Sequence, residues 1–241
     1  MKCVWVLLLF YALALPALAS PVEVAMQRFE RTAELRLMRR FDEAGVNFPP
    51  ERIQLIALKE SRRMELWVYS DSQWRYIHDY LIFAASGGAG PKLREGDKQV
   101  PEGFYRIVEL NPNSHFHLSM KLNYPNSFDW AQAAREGRQS PGSNIFIHGS
   151  AWSSGCLAVG NRSVEELFYL VGRVGVENAD VLIAPYDFRL RQIRQDEAAP
   201  AWVSELYAYL RLRLADFPIG QKRGVCESGC RQARTASSMT R

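Results

Sequence analysis

Two residues in the stretch "IFIHGSAWSSGCLAV" (145–159) have the side chains for nucleophilic catalysis: His148, the last histidine of the chain, and Cys156, eight positions later. Glycine sits beside each, as Gly149 and Gly155. An ordinary thiol, with a pKa near ~8.5, is only a few per cent thiolate at neutral pH, and a neighbouring imidazolium can bring it down to roughly 3.5–7.5. The same imidazole can afterwards return the proton to a leaving amine. Gly155 leaves room for a substrate carbonyl, and the backbone N–H groups of Gly155 and Cys156 are candidate oxyanion donors. The spacing alone also fits a second reading, in which Cys156 is a small, buried, inert residue and His148 a polar strand end.

For the two side chains to meet, "NIFI" must be a strand ending at His148, and "GSAWSSG" a tight glycine-bounded loop that folds Cys156 back toward it. The surrounding texture agrees. "IQLIALK", "MELWVYS" and "WRYIHDYLIF" are short β-branched or aromatic runs broken by turn residues, and "GFYRIVEL", "HFHLSM" and "ADVLIAP" continue the series, which predicts a meander of strands. Ahead of them Met26, Phe29, Ala33, Leu37 and Phe41 recur at helical spacing until Gly45, with Pro49 and Pro50 beyond. Behind the motif loop, "SVEELFYLVGRV" predicts a helix with Ser163 and Glu166 as a capping box. A last helix falls near "PAWVSELYAYLRLRLADFP". The fold class expected is mainly β with covering helices.

The first twenty residues, "MKCVWVLLLFYALALPALAS", carry Lys2, an apolar run from Val4 to Leu15 and the small-x-small site Ala17-Leu18-Ala19. That is the pattern of a secretory signal peptide cleaved near Ala19, and no later window approaches the ~20 apolar residues of a membrane span. Cleavage leaves Cys156, Cys226 and Cys230, and lowers the formal charge from +4 to +3. Cys226 and Cys230 could close a small loop in an oxidising compartment, which leaves Cys156 as the odd thiol. The mild positive charge is too small to argue for nucleic acid. The organisation expected is a signal peptide (1–19), an N-terminal helix (20–49), a main domain (50–185), a C-terminal helical segment (186–219) and a mobile basic tail (220–241).

Other residues carry weaker signals. His115 and His117 alternate along the presumed "HFHLSM" strand and so would face one way, but no third ligand stands at a metal-site spacing, and neither a metal nor a cofactor is expected. "GGAGPK" (87–92) lacks the ending of a phosphate loop and is expected to be a hairpin loop. The polar, aromatic insert from Asn111 to Ser143, with Tyr124, Pro125, Asn126 and Trp130, is longer than most connections and is expected to touch substrate. Arg94, Lys98, Tyr124 and Ser154 are the candidates for contact with an anionic peptide, each with solvated surface as the alternative.

The residues "IHG" followed by "SSGCLAV" resemble the signature of YkuD-type L,D-transpeptidases, in which a His-Gly pair precedes an S-x-G-C loop. Upstream, "GPKLREGDKQVPEGFYRI" is similar to the family's [TV]-P-x-G-x-Y stretch, with Pro101, Gly103 and Tyr105, and "NSHFHLSMKLNYPNSFD" resembles the YafK-like branch in particular. The resemblance covers about residues 50 to 185, and three motifs in the same order make it specific. It implies a β-sandwich-type catalytic domain, with Cys156 as the nucleophile on the L-centre of diaminopimelate in a peptidoglycan stem peptide. It further implies His148 as base and acid, Gly149 as the carbonyl that orients the imidazole, and a periplasmic location. One departure is that Ser154 stands where many members have a second histidine. That leaves the acceptor open: a transferase that forms a diaminopimelate bond, or a hydrolase that cleaves one, such as the tether of a wall-linked lipoprotein. A non-catalytic wall-binding module is the alternative of another class, and it predicts an unreactive Cys156.

Overall fold

The structure is a computed structural model that describes residues 19–193 and 198–219. The signal-peptide segment up to Leu18, the tail from residue 220 and the pair Cys226 and Cys230 lie outside the described residues.

Helix α1 (Pro21–Ala44) opens with a capping box, in which the Glu23 N–H donates to Ser20 Oγ at 3.2 Å and the Glu23 carboxylate accepts from the Ser20 N–H at 2.6 Å. It stops at Gly45, whose φ of 65° places it in the left-handed region that closes helices. Ala33, Leu37 and Phe41, at helical spacing, are its buried face.

The strands follow as β1 (Arg52–Leu58), β2 (Arg63–Ser70), β3 (Gln73–Leu81), β4 (Ala84–Ala85), β5 (Gly103–Asn111), β6 (Ser119–Leu122), β7 (Phe146–His148), β8 (Leu157–Ala158) and β9 (Ala179–Ala184). Three further helices are α2 (Ser127–Arg135), α3 (Asn161–Val174) and α4 (Trp202–Leu214). The nine strands run in the order β3-β2-β1-β9-β5-β6-β7-β8-β4. β3 and β4 stand at opposite ends of that order, yet only Ile82 and Phe83 separate them in sequence. The sheet therefore curls until its two edges approach. The bend lies along β5, whose first half (Gly103–Arg106) pairs with β9 while its second half, from Ile107, pairs with β6.

Curling leaves an inner and an outer face, both covered. Ile53, Leu55 and Ala57 of β1 join α1 and α3 in one core, while Ile56 and Leu58 join α4 in another. Burial on both faces is why this strand's sequence is nearly continuously apolar. The fold is mainly β with covering helices, as the sequence implies.

Two local expectations are corrected. α3 begins at Asn161, ahead of Ser163, and has no side-chain cap. Gly160, at φ 78°, makes the entry turn, where a Cβ would lie 2.7 Å from the Phe83 ring. Glu166 turns inward instead to pair with Arg36 and Arg40 of α1. The second correction concerns "HFHLSM": only Ser119 and Met120 of it enter β6, and His115 to Leu118 form a turn in which His117 has a φ of +78°. The two histidines do not share a strand face.

Candidate active site

His148 ends β7, between β6 (Ser119 opposite) and β8 (Ala158 opposite, in parallel). The sheet fixes its backbone, and the residue is 2% exposed. Its Nδ1 lies 2.6 Å from the Gly149 carbonyl oxygen. A carbonyl only accepts, so this nitrogen carries the proton and Nε2 keeps its lone pair. Gly149 in turn donates its N–H to Leu118 O at 3.1 Å. Only glycine fits there, because a Cβ would lie 2.6 Å from Phe116 O and 2.7 Å from Asn161 Oδ1. Phe116 stacks on the imidazole with ring centroids 4.6 Å apart. Burial lowers the His148 pKa below the ordinary imidazole value, with the bond to Gly149 acting the other way.

Cys156 directly precedes β8. The parallel register pairs His148 with Ala158 and Ile147 with Leu157, so its continuation sets Cys156 beside Phe146. Cys156 itself lies in the bend that enters β8, and its sulfur reaches back to the β7 chain, where the Phe146 backbone amide bonds it two residues before His148. The Sγ lies 3.8 Å from Asn144 O. No hydrogen bond joins His148 to Cys156 among the described residues. Burial raises the thiol pKa, opposed by the Phe146 backbone amide and by the charge of Lys92. The resting pair is a neutral thiol beside a neutral imidazole.

Serines brace the loop between them. Gly155, at φ +101°, donates its N–H to Ser86 Oγ at 2.6 Å, Ser86 Oγ lies 3.1 Å from Ser153 Oγ, and Ser153 Oγ donates to Cys156 O at 2.7 Å. The Gly155 N–H expected for an oxyanion is thus engaged with Ser86. Of the two candidate donors, that leaves Cys156. Sequence reasoning missed both serines and Phe116. Ser153 lies inside the motif loop, and Ser86 follows the two alanines of β4, which pairs with β8; only the sheet order could have connected them.

The weaker site candidates scatter. Tyr124, 4% exposed, donates its hydroxyl to Pro141 O at 2.7 Å and is a core strut, not a surface contact. Arg94 is exposed; its N–H donates to Asp97 Oδ2 at 3.0 Å and its carbonyl accepts from Lys92 Nζ at 2.9 Å. Ser154 and Lys98 are exposed. His117 Nε2 lies 2.8 Å from Glu165 Oε1, and no group of three or more metal-ligating side chains occurs among the described residues. The "GGAGPK" stretch is a loop on a cavity of about 570 Å³, lined also by Lys59, Arg62, Tyr186 and Tyr207, which includes neither His148 nor Cys156.

Residues 52–182 match the family model of the YkuD L,D-transpeptidase catalytic domain. Among curated proteins, YafK of Escherichia coli strain K12, provisionally named an L,D-transpeptidase, is 33% identical over 144 residues, or 58% of this chain. The match has the same extent in strain O157:H7. The chain spans 55% of the length of these relatives. Among solved structures, the helical cell shape determining protein Pgp2 of Campylobacter jejuni is 21% identical at a TM-score of 0.48, covering 71% of this chain and 58% of that one. Bd1075 of Bdellovibrio bacteriovorus is 22% identical at a TM-score of 0.42, covering 71% and 57%.

Proposed function

We propose, since the chain belongs to the YkuD L,D-transpeptidase catalytic domain family, that it is a cysteine acyltransferase acting on peptidoglycan stem peptides in the periplasm. The observation that carries this reading is that neighbouring parallel strands bring the two residues together, His148 at the end of β7 and Cys156 one residue before β8 with its thiol bonded by the Phe146 amide of β7, and that the Gly149 carbonyl holds the imidazole.

The chemistry follows from the two neutral groups. His148 Nε2, left bare because Nδ1 carries the proton, takes the proton of the Cys156 thiol as sulfur attacks the carbonyl carbon at the L-centre of diaminopimelate. The Cys156 N–H supports the oxygen of the tetrahedral intermediate. The C–N bond to the terminal D-alanine breaks, and the imidazolium returns its proton to that amine. A thioester remains. An acceptor amine then attacks the thioester, gives up its proton to His148, and expels the thiolate, which is reprotonated. With water as acceptor the same steps hydrolyse the bond. Ser154, in the place of a second histidine, leaves room for either outcome.

No helix among the described residues is long and apolar enough to cross a membrane. Export rests on the signal-peptide pattern of the first nineteen residues.

The test is mass spectrometry of the mature protein incubated with a diaminopimelate tetrapeptide muropeptide, with and without an amine acceptor, beside Cys156→Ala. Loss of D-alanine with a Cys156 adduct that resolves to a cross-linked product supports transfer, and resolution to tripeptide alone supports hydrolysis. Undiminished turnover by Cys156→Ala would end the reading.

A further inference from the structure

A loop distant in sequence reaches the imidazole. Phe116 stacks on His148 with the ring planes 29° apart, although the residue is 45% exposed. A half-exposed aromatic ring gains only part of its burial energy, so burial alone does not explain its placement. Its backbone is engaged as well. The carbonyl of Phe116 closes off the space beside Gly149, and the carbonyl of Leu118 accepts the Gly149 N–H. Residues 116–118 thus grip the glycine whose own carbonyl holds His148 Nδ1.

The middle residue of this turn is held from two helices. His117, at φ +78°, has a left-handed backbone that a residue other than glycine keeps only where its surroundings over-determine it. Its ring meets Phe29 of α1 edge-on at 5.4 Å, and its Nε2 lies 2.8 Å from Glu165 of α3. Arg36 of α1 completes the grip, 3.8 Å from the same carboxylate.

We propose that Phe116 is a positioning residue for His148, held over the imidazole by a clamp in which Phe29 of α1 and Glu165 of α3 grip the neighbouring His117. The Gly149 bond fixes the rotation of the imidazole, and the stacked ring fixes its plane and shields one face from water. α1 precedes the family-matched segment 52–182. The clamp makes that helix part of the support of the site. Burial is what lowers the His148 pKa, opposed only by the Gly149 carbonyl, and no charged side chain contributes. Uncovering the ring therefore has a readout of its own.

The experiment is an NMR titration of the His148 imidazole in the full mature chain, assigned against His148→Gln; the chain has four histidines to separate. Phe116→Ala should raise the His148 midpoint toward the ~6.5 of a water-exposed imidazole, and Phe116→Tyr should leave it in place. His117→Gln should move it in the same direction and add nothing in a Phe116→Ala background, because both act through one contact. With the tetrapeptide substrate, kcat for Phe116→Ala should fall between about 10- and 100-fold with KM little changed, and Phe116→Tyr should restore it. A folded Phe116→Ala protein with an unmoved His148 midpoint overturns the proposal. Fully additive shifts overturn the clamp. The kinetic arm rests on the proposed acyltransfer, whereas the titration needs no substrate. Absence of turnover with the midpoint moved would count against the acyltransferase reading alone.

Discussion

Alkylation of Cys156 without substrate should follow the ionisation of a solitary thiol, not that of an ion pair. Burial raises the thiol and lowers the imidazole, so the proton stays on sulfur at neutral pH. An ordinary thiol is about 3% thiolate at pH 7, and Cys156 is held below that fraction. Below its midpoint, each step of one pH unit multiplies the thiolate by about ten. A plot of log rate for iodoacetamide against pH should therefore rise with unit slope from about pH 6 to 8. A thiolate–imidazolium pair of the papain kind keeps its thiolate down to pH ~4 and gives a flat line over the same range. Cys226 and Cys230 also react, so the rate is read by mass on the tryptic peptide Gln139–Arg162, which contains Cys156 alone. His148→Gln should barely move the profile, since burial, Phe146 and Lys92 set the level of the thiol. The same variant should cut turnover by about 10²–10⁴-fold. A flat profile for the parent, or its collapse in His148→Gln, would refute the neutral pair.

Glu166, whose side chain is 1% exposed, pairs with Arg36 and Arg40 and accepts from the Tyr80 hydroxyl at 3.3 Å. Glu166→Ala removes the main carboxylate partner of two partly buried guanidiniums, leaving Arg36 with Glu165 and Arg40 with the Tyr80 hydroxyl, and should cost about 3 kcal/mol, or roughly 6–12 °C of Tm, in a thermal melt; an unchanged Tm would show that the cluster does not hold α1. Gly149→Ala puts a methyl group within 2.7 Å of both Phe116 O and Asn161 Oδ1. Moving either misplaces His148, and kcat should drop by about 100-fold, measured beside a melt that checks folding. His78 is lowered to about 4, chiefly by burial and then by Arg40. The unfolded chain takes up this proton near ~6.5, so the contribution is present above that pH and is lost as the pH falls toward 4. Allowing for the solvent that reaches the ring, about 1–2 kcal/mol is at stake. The difference in unfolding free energy between pH 7 and pH 4, read from denaturant curves, should shrink by that amount in His78→Gln, and an equal difference in both proteins would exclude the effect.

What the sequence made legible was local. β1 to β3 follow the apolar runs first noted, and α1 ends at Gly45, because strand texture and a left-handed cap are properties of adjacent residues. What it concealed was long-range. Glu166 stands where a capping box would use it, but Arg36, 130 residues away in sequence, holds it in the interior. Tyr124 has the surface chemistry of a substrate contact, yet its hydroxyl serves Pro141, beyond α2. Gly155 N–H is taken by Ser86, 69 positions upstream, because the curled sheet brings β4 beside β8. In each case the competing partner is set by tertiary packing, which no local pattern encodes.

The interval of eight residues from His148 to Cys156 has a meaning that only the register supplies. β7 and β8 are parallel and paired with an offset of ten positions, His148 with Ala158. Cys156 stands one residue before Leu157, the partner of Ile147, so the interval is the length of loop that this pairing has to close. Parallel neighbours ordinarily need a crossover of a dozen or more residues. Here Gly149 to Cys156 closes the connection because both strands are short, Ser150 and Gly155 take positive φ angles of 64° and 101°, and Asn161 Oδ1 accepts the Ser150 N–H at 2.8 Å. Insertion of one residue in this loop would leave the composition of the motif intact and disturb the bonds of Ser150 to Asn161 and of Gly155 to Ser86 that shape it. The two glycines and the serines between them set where the thiol stands relative to His148.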